Sequence, residues 1–93
     1  MPTGAPYEPS GLPEPSFATL LISLSTQALM YLGEIPDLEG GDARKDLGAA
    51  RNIIDLLAVL ERKTTGNLDA DEAALLERIL YDLRMRFVAI SRG

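Results

Sequence analysis

The polar side chains that could do chemistry in this chain gather most densely at Glu77, Arg78, Tyr81, Asp82, Arg84 and Arg86. Carboxylates, a phenol and guanidinium groups could in principle move protons or clamp an anion, so their geometry decides the matter. Read as one helix at about 100° per residue, Arg84 and Arg86 stand roughly 200° apart and cannot converge on one ligand. Asp82 lies one turn from both Arg78 and Arg86, the spacing of a local ion-pair ladder on an exposed helix. The cluster therefore reads as a structural rim; the alternative is that Arg84 or Arg86 meets a carboxylate on a protein partner, since Arg forms bidentate carboxylate pairs at interfaces. Nothing nearby completes a nucleophile–base pair, because the chain contains neither cysteine nor histidine. Thiolate zinc sites, disulfides and imidazole ligands are excluded with them. The expectation is a protein that is not an enzyme, with no catalytic residues, no metal site and no cofactor.

Other polar patterns fail similar tests. Gly40-Gly41 lacks the preceding strand and the Lys-Ser/Thr that a phosphate loop needs, and the acids between Glu34 and Asp46 lack the alternating ligand spacing of a calcium loop. Fourteen acids against nine bases leave a net charge of −5, the wrong sign for a phosphate-backbone binder, so no nucleic-acid partner is expected. The hydroxyl line Thr19, Ser23 and Thr26, with Gln27 beside it, reads either as a solvated stripe or as polar groups turned to a partner helix or a small-molecule pocket.

Three helices position these residues. Residues 1–15 hold five of the six prolines and read as a disordered, polyproline-like tail without the basic and apolar regions of a secretory signal. Its Pro6-Tyr7-Glu8-Pro9 matches the bare PxxP spacing, a pattern too short to carry weight. The first helix is predicted over 17–32, between an N-cap at Ser16 and a terminating Gly33. It has no charge between Glu14 and Glu34. Its apolar arc runs from Phe17, Leu20, Leu21, Leu24, Ala28, Tyr31 and Leu32 around to Ala18, Ile22 and Leu29. An arc of about 200° is too wide for one contact. At about 16 residues, with several hydroxyls, the helix is too short and too polar for a transmembrane span.

A solvated loop over 34–45 leads to a second helix over 47–64, capped by Asp46, with Ala49, Ala50, Ile53, Leu56, Leu57 and Leu60 as its apolar stripe and Arg51 and Asp55 paired outside. After the short Thr65–Leu68 turn, Asp69 and Glu72 have the spacing of a capping box, opening a third helix over 70–90. Ala73, Leu76, Leu80, Leu83, Phe87 and Ile90 form its seam. The expected fold is all-α, a small three-helix bundle over 16–93 behind the tail.

Ala74, Tyr81, Met85 and Val88 fall on the face of the third helix away from that seam. Three helices of this size enclose one core, so this face and the outer flank of the first helix are left without a covering element. The candidate interface is accordingly Ile22, Leu29, Tyr81, Met85, Val88, Arg84 and Arg86. A homo-oligomer or an unidentified protein partner is expected. The alternative is an apolar small-molecule or membrane-surface module using the first helix, by peripheral contact.

Two long stretches, from Ser16-Phe-Ala-Thr-Leu-Leu-Ile-Ser through Leu32-Gly-Glu-Ile-Pro36 and from Leu80-Tyr-Asp-Leu-Arg-Met-Arg-Phe-Val88, resemble a bacterial group of small uncharacterised proteins, domain-of-unknown-function family 1844. The likeness extends through Ile53-Ile-Asp-Leu-Leu57 and Lys63-Thr-Thr-Gly-Asn-Leu68, covering about residues 16–90. This chain has Asp69-Ala70 where the family often opens its last helix with Thr-Pro, which keeps the cap and loses the proline at the first helical position. The resemblance implies a cytoplasmic bacterial helical protein and carries over no activity and no site residue.

Overall fold

A computed structural model describes residues 14–36 and 45–92 of the chain. Residues 1–13 of the Pro-rich leader and residues 37–44 of the predicted loop lie outside the described residues. Within the described residues the architecture is three helices, α1 Phe17–Tyr31, α2 Leu47–Thr64 and α3 Ala70–Arg92, with no strand. The all-α three-helix expectation holds. The third helix continues two residues past its predicted end, and Leu32 serves as the C-cap of the first.

Each helix begins where a side chain satisfies backbone N–H groups that have no carbonyl partner within the helix. Ser16 Oγ accepts from the Thr19 N–H at 3.1 Å, and Thr19 Oγ1 accepts from the Ser16 N–H at 2.9 Å. Thr19 thus takes the place that Glu or Gln usually fills in a capping box. Asp46 accepts from the Ala49 N–H at 3.0 Å. Asp69 accepts from the Glu72 N–H at 2.8 Å, while Glu72 accepts from the Asp69 N–H at 3.0 Å. The end of α1 is equally explicit. Gly33, at φ +81°, donates to Met30 and Glu34 donates to Leu29, the paired bonds of a Schellman motif that needs a left-handed residue at this position.

A single backbone bond then sets the first reversal. The Asp46 N–H donates to the Tyr31 carbonyl at 2.7 Å, so the start of α2 sits against the end of α1 and the two helices run antiparallel. The five residues between Thr64 and Ala70 turn the chain again, with Gly66 at φ +89°, and make α3 antiparallel to α2.

Leu21, Ala28 and Leu32 from the first helix and its cap, Ala50, Ile53, Ile54 and Leu57 from α2, and Leu76, Leu80 and Leu83 from α3 form the buried core. No polar or charged side chain is buried among the described residues. Two sequence assignments need correction. Leu56 is 47% exposed and Ile54 takes its place in the core, because α2 packs between two helices and its buried arc is centred on Ala50 and Leu57, with Leu56 about 100° off it. Ala73, read as part of the third helix's seam, is exposed, since it lies in the first turn of α3 beside the connection from α2.

Candidate interaction surface

The polar cluster of α3 is divided between the two neighbouring helices. Arg86 lies at the α1 side, where its Nε donates to Asp82 at 2.8 Å and its Nη1 donates to Glu34 at 2.7 Å. One guanidinium therefore ties its own helix to the turn that follows α1. Bonding and charge attraction to Asp82 hold the Arg86 pKa above its ordinary value; burial opposes them, and Glu34 adds a smaller upward push. All three side chains are more than one-third exposed, so solvent screens the pair and its worth stays in the range of about 0.2–1 kcal/mol for surface ion pairs. Arg84 lies at the α2 side. With Arg51 and Asp55 it borders a shallow groove of about 240 Å³ floored by Ile54, Phe87 and Val88. The two arginines thus diverge, as their spacing predicts.

The other expected pairs have mixed outcomes. Arg51 and Asp55 meet at 3.9 Å with both side chains about two-thirds exposed. Arg78, the other end of the expected ladder, makes no ion pair among the described residues. The hydroxyl line of α1 is largely spent on its own helix, because Thr19 completes the N-terminal cap and the Thr26 hydroxyl donates to the Ile22 carbonyl at 2.9 Å. Back-bonding of this kind leaves fewer donors to line a pocket. The groove beside Arg84 is also smaller than the roughly 300–1,000 Å³ of typical small-molecule sites.

The proposed contact residues are placed as follows. Ile22 is 52% exposed, Tyr81 67%, Met85 55% and Val88 48%. Arg84 and Arg86 are exposed, with Arg86 already committed within the chain. Leu29 is half-buried and packs against the core, so its contribution is divided between folding and surface. Tyr81, Met85 and Val88 fall about 140° around α3 from the Leu76–Leu80–Leu83 seam. Three further apolar residues reach solvent, Leu20 on α1 and Leu56 and Val59 on α2. The signal for Leu20 in the sequence was the excess width of the apolar arc on α1, and Val59 had none. For α2 the wheel alone put Leu56 on the wrong side of the boundary.

No helix among the described residues is long and apolar enough to cross a membrane, and none of their carboxylates gather in groups of three that could hold a metal ion. No curated protein matches the sequence, and no solved structure matches the chain. The family model described as a domain of unknown function, DUF1844, matches residues 14–89, a span that takes in all three helical caps, the core and the exposed apolar residues. By that match the chain belongs to the DUF1844 family.

Proposed function

We propose that this chain is a non-catalytic helical module that works through protein–protein contact, in the first place with further copies of itself. The observation that carries the reading is the surplus of exposed apolar side chains. Seven large apolar residues, Leu20, Ile22, Leu56, Val59, Tyr81, Met85 and Val88, stand 40% or more exposed around a core built from only ten buried residues. Single exposed apolar residues are ordinary, but several on one helix face mark a contact surface. The polar groups point the same way. Those with the strongest bonds cap helices or tie α3 to α1, and none of them forms a nucleophile–base arrangement. A cytoplasmic setting in a bacterial cell fits the absence of cysteine and the family resemblance.

Substitution separates this reading from a merely apolar surface. Tyr81→Asp and Met85→Asp are expected to lower the associated mass seen by size-exclusion chromatography while leaving helicity intact, and Arg62→Ala on the outer side of α2 to leave it unchanged. Equal, negligible effects of all three on a chain that elutes as a monomer would overturn the proposal.

A further inference from the structure

The outer face of α3 carries a charge pattern that complements itself. Glu77 and Arg84 are both exposed, and among the described residues neither makes an ion pair. They are seven residues apart, hence on one flank of the helix within about 20° of each other, with Tyr81 between them at the centre of the exposed strip. Opposite charges placed on either side of a central aromatic residue match the same strip when it runs in the opposite direction. We propose that two copies of the chain pair antiparallel through the outer faces of α3, with the two-fold axis at Tyr81 and reciprocal Glu77–Arg84 ion pairs on one flank. This inference rests on the self-association reading above and specifies its surface.

The register brings each residue along the strip within one position of a matching partner. In a two-fold pair each residue lies level with the one whose number, added to its own, gives twice that of the axis residue, here 162. Ala74 then faces Val88 of the second copy, a small residue against a larger one, and Tyr81 stacks beside its own equivalent. Glu77 falls within one residue of Arg84, about 1.5 Å along the axis. On the other flank Arg78, also without an ion pair among the described residues, comes level with Met85 within one residue and can lay its aliphatic stem over it. A parallel two-fold arrangement would put the Glu77–Arg84 flanks of the two copies on opposite sides of the contact and form neither pair. The strip from Ala74 to Val88 is about 21 Å long, and Val88 continues it into the groove bounded by Arg51 and Arg84. Aromatic and Arg residues of this kind dominate the energetics of protein contacts.

Charge exchange in the full-length chain tests the pairing. Glu77→Arg alone and Arg84→Glu alone each place like charges together at both ends of the interface, and each is expected to weaken dimerisation about tenfold or more. The double variant Glu77→Arg/Arg84→Glu restores it. Mixing the two single variants is expected to give a heterodimer, in which both pairs are again opposite in sign, read by light scattering or by native mass spectrometry. Because the chain has no cysteine, Tyr81→Cys supplies an independent readout: mild oxidation yields a covalent dimer, whereas Arg62→Cys does not. Circular dichroism of each variant confirms that the helices persist. A wild-type dimer whose mass is indifferent to the single exchanges, and whose Tyr81→Cys variant fails to cross-link, overturns this arrangement while leaving self-association standing. A wild-type chain that is monomeric at every concentration overturns both.

Discussion

Gly33 shows how much a single residue fixes in this chain. Its φ of +81° lies in the left-handed region that costs other residues about 1–2 kcal/mol, and it supports the two bonds that close α1. The Lys45 side chain lies 3.7 Å from where a Cβ would stand, an ordinary contact, so Gly33→Ala is expected to cost about 1–2 kcal/mol through backbone strain alone. For a domain of this size that corresponds to a fall in melting temperature of about 4–8 °C per kcal/mol, measurable by thermal denaturation. Arg86 should matter less. A double-mutant cycle with Glu34→Gln and Arg86→Ala is expected to return a coupling of about 0.2–1 kcal/mol, because both partners remain partly solvated. The glycine stop and all three N-caps were legible in the sequence, since each is a bond between residues a few positions apart. The Glu34–Arg86 bridge spans 52 positions. Neither residue carries a local signal for it, and it emerges only when the end of α1 comes beside α3.

Helices in this fold are defined by their faces, and the two sides of each face predict different responses. Leu57 and Leu80 are essentially unexposed, so truncating either to Ala is expected to cost about 2–5 kcal/mol. A loss of that size approaches the whole stability of a small single-core domain, and urea titration should show such variants partly unfolded without denaturant. Leu56→Ala is expected to cost about 1 kcal/mol or less, because nearly half of that side chain already meets water. The contrast between Leu56 and Leu57 was beyond the sequence. Helical periodicity gives the width of an apolar stripe, whereas its centre depends on where the two neighbouring helices sit, and on α2 they favour Ile54 over Leu56. On α3 the seam Leu76–Leu80–Leu83 was legible because its apolar residues alternate three and four apart with charges on both flanks. The outer strip Tyr81, Met85 and Val88 was legible for the same reason, as apolar residues on a face that the seam had already made redundant.

For the whole molecule, the excess of exposed apolar surface links assembly to stability. Anything that binds the folded chain and not the unfolded one raises apparent stability by mass action. The melting temperature of the wild-type chain is therefore expected to rise with protein concentration, and that of the Met85→Asp variant to rise less. The sequence predicted a three-helix domain with unsatisfied faces. It did not show how α1 divides its wide apolar arc, burying Leu21 and Ala28 while leaving Leu20 and Ile22 to solvent on opposite flanks. The most direct test of self-association is the molar mass of the full-length chain by light scattering over a hundredfold range of concentration. The expected result is a mass that rises from that of the 10.1 kDa chain to twice that value and there levels off. A mass that stays at the single-chain value throughout would contradict it.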